Sequence, residues 1–378
     1  MKTVGNTISP NWARSLTDPA AFAQEQAQLG RIWTLLGLTT DLANDSDWLR
    51  ATLGGRSVFV QRFGATLRGF ENRCAHRFYP LRTADKGNGV IRCGFHHWQY
   101  DKEGRAVGIP KCQELFGKTP RELNARLNPV EIATCGMLVF GRFADPDETE
   151  TLEQFLGPGF PILQAFCKQT KRPYSAHRQI AANWKLCVHA SLDDYHIVAV
   201  HPGSFGKGGY LDPNTICYAR FGRHSVFLNG TTDPGTLAAM AQACRDGSYR
   251  PQRYRLFNIF PNFTVATVRA LDRWFIVVSQ YVPAAVDRTS MRMWFFPAPY
   301  PPEDRGLLLN LWFANLALYM PLVMRYLSGK VNAEDQAVCE HLQSIAHQID
   351  GLPILGLQEE RIAWFEEAYV DAIAASRK

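Results

Sequence analysis

Two cysteines and two histidines alternate in one short stretch: Cys74-Ala75-His76 and, after sixteen intervening residues, Cys93-Gly94-Phe95-His96. Each Cys/His pair fits on one tight loop, so two loops could clamp a cofactor from opposite sides. Two thiolates and two imidazoles suit an asymmetric [2Fe–2S] centre. Cys74 and Cys93 would hold one iron and His76 and His96 the other, which raises the reduction potential above that of an all-cysteine cluster. A Cys2His2 zinc site uses the same residue types. Zinc fingers usually pair Cys with Cys and His with His, so the alternating order favours the iron–sulfur centre. His97 adjoins His96, but only one of them meets the Cys-x-x-His spacing, and neighbouring side chains point apart. His97 is expected at the surface.

A second group lies downstream. Asp193-Asp194-Tyr195-His196 is followed five residues later by His201-Pro202, and far along the chain come Glu334-Asp335 and Glu340. Two histidines and one carboxylate bind Fe(II) on one face and leave the opposite positions open for O2 and substrate. His196, His201 and Asp335 are the expected ligands. Asp193, three residues before His196, is placed to accept a hydrogen bond from the ring nitrogen that does not ligate. His189 is a rival ligand, because positions 189, 193 and 196 share a helical face. Asp194 and Glu334 are alternatives to Asp193 and Asp335. An iron–sulfur centre delivers single electrons, and an Fe(II) site with open positions is a natural consumer of them.

The elements that must position these groups can be read from the patterning. Asp18-Pro19 looks like an N-cap followed by proline at the first helical position, opening a helix that Phe22, Leu29 and Trp33 carry to about Trp33. Ser57–Arg62, Gly64 and Leu67–Glu71 read as a β-hairpin, and Val90–Arg92 and Met137–Phe140 as further strands. The span 41–148 is therefore a small β-rich domain whose turns carry the Cys/His pairs. Residues 1–40 form a helical segment expected to pack on the second domain. Asp145–Gly159, with Pro146, Gly157, Pro158 and Gly159, is a boundary. Residues 160–378 read as α+β: a helix over Trp184–Val200, strands over Arg255–Val268, Trp274–Val282 and Ser290–Phe296, and helices over Arg305–Leu327 and Leu357–Ala374. The aromatic strands around Phe257–Phe263 and Trp274–Tyr281 either line an apolar pocket or are core.

Composition sets the bounds. The chain has 378 residues, 46% apolar and 20% charged, with a net charge of +6. That is ordinary for a globular protein of two or three domains. Basic residues are scattered, so no nucleic-acid tail is expected. Nine cysteines at irregular positions argue against a disulfide framework. Met1–Ser15 has no apolar run of the kind a secretory leader needs, and a reducing cytoplasm fits best. Leu307–Met324 approaches the length of a membrane span, but Asn310, Asn315 and Pro321 make it read as an interior helix.

Taken in this order and with this separation, the stretches Cys74-Ala75-His76-Arg77, Cys93–Asp101, Asn183-Trp184-Lys185, Asp193–His196 and His201-Pro202 resemble the Rieske non-haem iron oxygenases, alpha subunit of the terminal component. The late Glu334-Asp335 with Glu340 also fits. The resemblance implies a β-rich Rieske domain, a catalytic domain with a helix-grip fold, and ring-shaped trimers of the α-only type. In such trimers the cluster of one subunit feeds the iron of its neighbour, and Asp193 matches the acid that bridges the two. Three positions depart from the pattern. Phe78 and His97 stand where glycine commonly follows, and His189 stands where an acid is common. The expected activity is oxygenation of a small organic substrate, aromatic or amine, by hydroxylation or oxidative demethylation. Ring cis-dihydroxylation is the second reading, and a Rieske electron-transfer protein without catalysis the third. The sequence shows no Gly-rich nucleotide loop, so electrons from NAD(P)H would arrive through a separate reductase or ferredoxin.

Overall fold

Short runs of β-branched and aromatic residues build most of the first part of the chain. The computed structural model describes residues 8–145, 149–168, 173–202, 216–228, 236–270, 273–299 and 329–374. The chain divides into two compact units, one comprising residues 26–155 and 169–172, the other 1–25, 156–168 and 173–378.

In the unit of residues 26–155, seven antiparallel strands form one sheet: β1 (Thr34–Leu38), β2 (Asp47–Leu53), β3 (Arg56–Phe63), β4 (Thr66–Glu71), β5 (Lys86–Asn88), β9 (Pro129–Cys135) and β10 (Leu138–Phe143), in the order β1-β10-β9-β4-β3-β2-β5. A smaller sheet joins β6 (Ile91–Arg92), β7 (Gln99–Tyr100) and β8 (Ala106–Gly108). β3 is buried on both faces. Val58 and Val60 pack with Leu49, Ala51 and Val139, while Phe59 between them packs with Phe70, Ile91, Trp98 and Leu127. The predicted hairpin is β3–β4, turned by Gly64 at φ +56°. The predicted helix is Pro19–Leu29, capped by Asp18 Oδ1, which accepts from Ala20 N at 2.8 Å. It stops short of Trp33 because Gly30 abuts the Gly54 backbone and the chain then enters β1. β1 pairs with β10, so residues 26–40 belong with this unit and the division falls after Glu25, not at residue 40.

The other unit holds a second seven-stranded antiparallel sheet: β11 (Tyr174–Ile180), β12 (Tyr218–Phe221), β13 (His224–Leu228), β14 (Arg255–Ile259), β15 (Phe263–Ala270), β16 (Arg273–Ala285) and β17 (Arg288–Pro297), ordered β11-β17-β16-β15-β14-β13-β12. The extended run predicted over Arg255–Val268 is two strands, because Phe260-Pro261-Asn262 turns the chain and Asn262 Nδ2 donates to Tyr281 O at 3.1 Å. One face packs on the helix Gly159–Phe166, with Phe166 against Phe257. The other meets a helix over residues 329–345 and the helix Glu360–Ala374: Asn332 Nδ2 lies 3.1 Å from Met293 Sδ, and Arg361 packs over Phe227. On the last helix Ile362, Phe365 and Tyr369 are buried as one stripe, as their spacing predicted.

The helix predicted over Trp184–Val200 is broken. Trp184–Leu192 is helical, Asn183 caps it by accepting from Lys185 N at 3.0 Å, and a short helix resumes at Ile197–Val200. Residues 8–25 group with this unit: Glu25 accepts from Trp184 Nε1 and Tyr369 OH, both at 2.6 Å, and pairs with the buried Lys185. Among the described residues no helix is long and apolar enough to cross a membrane. The apolar run Leu307–Met324 and the helix predicted over Arg305–Leu327 lie outside the described residues.

Candidate active site: two cofactor cradles

The first cradle is built from two loops of the same shape. Cys74 N donates to Tyr79 O at 2.8 Å and Phe78 N donates back to Cys74 O at 3.0 Å. Cys93 N likewise donates to Trp98 O at 2.9 Å, and His97 N to Cys93 O at 3.0 Å. The first loop follows β4; the second is the hairpin between β6 and β7, whose pairing of Arg92 with Gln99 fixes it. Cys74 and Cys93 are buried, and His76 and His96 are half-buried beside them, with ring centroids 4.6 Å apart. Trp98 stacks on His76 at 4.8 Å and 3° and fixes its plane. His76 Nδ1 is buried without a hydrogen bond. Inner thiols, outer imidazoles and an orphaned ring nitrogen between them fit a [2Fe–2S] group with one thiolate-held and one imidazole-held iron. His97 is exposed, with φ +60°.

The sequence reading did not single out Tyr100. Its hydroxyl accepts from Ala75 N at 3.0 Å and lies 3.0 Å from Cys74 Sγ, within reach to donate to that sulfur when it is a thiolate. The signal was available, since Tyr100 sits in the quoted stretch Cys93–Asp101.

The second cradle gathers residues far apart in sequence. His196 Nε2 and His201 Nε2 are 3.3 Å apart, and Asp335 Oδ1 lies 3.4 Å from the first and 2.9 Å from the second. Ligands at right angles around one ion, each about 2.0–2.2 Å from it, would stand about 3 Å apart. Asp335 Oδ1 is buried and makes no well-aligned hydrogen bond. Such an oxygen between two imidazole nitrogens is suited to a cation.

Carboxylates also stand behind both rings. Asp193 Oδ2 is 3.3 Å from His196 Nδ1, and its Oδ1 accepts from His196 N and Tyr195 N. Glu334 Oε2 is 2.8 Å from His201 Nδ1. Glu334, the alternative to Asp335, sits on the far nitrogen of the ring that Asp335 approaches. Burial works against a charge on His196, but Asp193 and Asp335 outweigh it and lift its pKa to about 10. His201 is raised in the same way, with burial outweighed by Asp335 and Glu334. Asp335 is lowered, since its two imidazole partners outweigh its burial. Three carboxylates around two imidazoles make a pocket that draws positive charge, and a divalent ion there competes with protons.

The remaining sequence candidates face elsewhere. His189 Nε2 meets Glu366 Oε1 at 2.8 Å in the interior, with Trp12 parallel to its ring. Asp194 is buried against Arg361 Nη2 at 2.9 Å and Tyr218 OH at 2.8 Å, which locks the 193–196 turn to the last helix. Glu340 accepts from Ala181 N at 3.0 Å and Gln336 Nε2 at 2.6 Å.

The chain resembles known proteins in both units. Residues 32–124 match the Rieske [2Fe-2S] domain, and residues 167–375 match the ring hydroxylating alpha subunit catalytic domain. The carnitine monooxygenase oxygenase subunit of Escherichia coli is 30% identical over 197 residues, 50% of this chain and 52% of that protein. The anthranilate 1,2-dioxygenase large subunit of Acinetobacter baylyi is 30% identical over 274 residues, 66% of this chain and 53% of that one. The matched part thus spans about half the length of these relatives. Among solved structures, naphthalene 1,2-dioxygenase from Rhodococcus sp. shares the fold at TM-score 0.74 and 19% identity, covering 97% of this chain and 94% of its own. The quaternary ammonium Rieske monooxygenase CntA does so at 0.70 and 18%, with the same coverage. With its catalytic domain matched over more than half of its length and a Rieske domain ahead of it, this chain belongs to the ring-hydroxylating alpha subunits of the Rieske oxygenases.

Proposed function

We propose that the chain is the terminal oxygenase component of a multi-protein system. Cys74, Cys93, His76 and His96 hold a Rieske [2Fe–2S] cluster, and His196, His201 and Asp335 hold a mononuclear Fe(II). The observation that carries this reading is the convergence of two Nε2 atoms and one buried carboxylate oxygen within 3.4 Å of one another, with a further carboxylate behind each ring. When bound, such an iron supplies O2 activation with electrons relayed by the cluster. The chain's own residues do the positioning. Asp193 and Glu334 hold the two rings with Nε2 inward, and Trp98 holds the plane of His76.

The substrate in this reading is a small organic molecule, and the reaction a monooxygenation, hydroxylation or oxidative demethylation. The monooxygenase among the relatives supports that choice, and the dioxygenases among them support ring cis-dihydroxylation as the second reading. Electrons come from NAD(P)H through a separate reductase or ferredoxin, the assembly is a homotrimer in which Asp193 links cluster and iron of neighbouring subunits, and the protein works in the cytoplasm.

The test is reconstitution with iron and sulfide, then O2 uptake with a generic reductase over a panel of aromatic and amine substrates. Substrate-dependent O2 uptake with a Rieske absorbance and EPR signal is expected. Asp335→Ala should abolish uptake and spare the cluster signal. A cluster signal without any substrate-dependent uptake would point to an electron-transfer protein, and a colourless protein without labile sulfide to zinc.

A further inference from the structure

One row of side chains crosses the sheet of the catalytic unit. Ser225 on β13 stands opposite Asn258 on β14, Asn258 opposite Thr264 on β15, Thr264 opposite Ser279 on β16, and Ser279 opposite Met293 on β17. Directly opposed residues of antiparallel strands share a face. That face is the one under the iron cradle. Met293 touches Asn332, one turn before Asp335.

Ser225, Asn258 and Thr264 are only 3%, 2% and 3% exposed. None of the four polar side chains hydrogen-bonds to another described residue, and Asn258 Nδ2 is buried with no partner at all. A buried amide N–H left without a partner costs about 1–3 kcal/mol, and folded proteins rarely leave one so. The neighbouring row of the same face is apolar: Phe227, Leu256, Ala266, Val277 and Phe295. Leu256, Val277 and Ser279 lie on central strands of the sheet, yet they are only half-buried. The described part of the row offers no free cation, since Arg220 at its edge pairs with Glu367.

We propose that Asn258, with Ser225, Thr264 and Ser279, is the polar contact of the substrate floor. The geometry suits an uncharged substrate with an apolar body and one hydrogen-bonding oxygen, a ketone, amide or alcohol. This rests on the oxygenase reading. A buried carboxylate would require a cation, and a bare hydrocarbon would leave the row unsatisfied.

The experiment uses the iron-loaded holoenzyme without reductant, and two probes of equal shape: acetophenone and α-methylstyrene, which exchange C=O for C=CH2. Wild type should bind acetophenone at least tenfold more tightly. Asn258→Leu should bring the two within twofold by weakening acetophenone alone. Asn258→Leu should raise the Tm of the free holoenzyme by about 2–4 °C, because an unpaired buried group is removed. A fall in Tm would make the row structural and overturn the proposal. So would equal affinity in wild type, tighter binding of α-methylstyrene, or no binding of acetophenone. If acetophenone binding depends on Asn258 while no compound stimulates O2 uptake, the oxygenase reading fails and the binding floor stands.

Discussion

Phe78 and His97 occupy the same place in two different loops. Each lies four residues after one of the two cysteines proposed as cluster ligands, Cys74 and Cys93, donates its backbone N–H to that cysteine's carbonyl, and has a left-handed backbone, at φ +59° and +60°. A side chain there costs about 1 kcal/mol or more, which glycine avoids. Phe78→Gly and His97→Gly should therefore each stabilise the Rieske unit by about 0.5–1 kcal/mol, whereas Phe78→Ala should not. Thermal unfolding followed at the cluster absorbance checks this. Equal effects of Ala and Gly would mean that the aromatic ring, which Arg73 covers, decides the outcome.

Tyr100 Oη lies 3.0 Å from Cys74 Sγ, and to a cluster-bound thiolate it can only donate. A hydrogen bond to a cluster sulfur favours the reduced, more negative state and raises the potential. Tyr100→Phe removes it and leaves the ring in place. If the bond favours the reduced state by about 1 kcal/mol, the potential should drop by about 40 mV. Protein-film voltammetry reads the shift. An unchanged potential would show that the hydroxyl serves only Ala75 N.

How much of this was legible in the chain differs by feature. The four residues proposed to hold the cluster stand within 23 positions of one another, and Cys/His spacing alone singled them out. Residue types alone suggested His196, His201 and Asp335 as a set, but the carboxylate arrives from more than a hundred residues away, and its meeting with both rings is a property of the fold. The break after Leu192 was missed because the hydrophobic period runs on through Val200, while the Asp193 side chain captures the N–H groups of Tyr195 and His196 and ends the helix. Residues 26–40 were assigned to the wrong side of a boundary because helix patterning ahead of β1 masked a strand whose partner, β10, lies a hundred residues on. The row Ser225, Asn258, Thr264 and Ser279 was not visible at all, since register between strands is a property of the folded sheet.

His189 and Glu366 form a buried pair at 2.8 Å. Removing one partner leaves the other uncompensated in the interior, so His189→Ala should destabilise the catalytic unit by about 2–4 kcal/mol. His189→Ala/Glu366→Leu should recover part of that loss. Iron content after refolding separates the readings: a pair that only holds the last helix leaves the iron bound, whereas loss of iron at unchanged Tm would make His189 part of the metal site.

Glu334 and Asp335 are adjacent, yet they approach opposite nitrogens of His201, at 2.8 and 2.9 Å. Only one of them can reach an ion at Nε2, so the two should fail differently when changed. Glu334→Gln keeps a side chain of the same shape and loses the charge that holds the Nδ1 proton. Iron affinity should then fall by about 10–100-fold, and excess Fe(II) should restore O2 uptake. Asp335→Asn removes a ligand charge, and excess iron should not restore uptake. Competitive chelator titration gives the affinities, and uptake at saturating iron gives the rescue. The opposite pattern, with rescue of Asp335→Asn and none of Glu334→Gln, would transfer the ligand role to Glu334 and turn the His201 ring over.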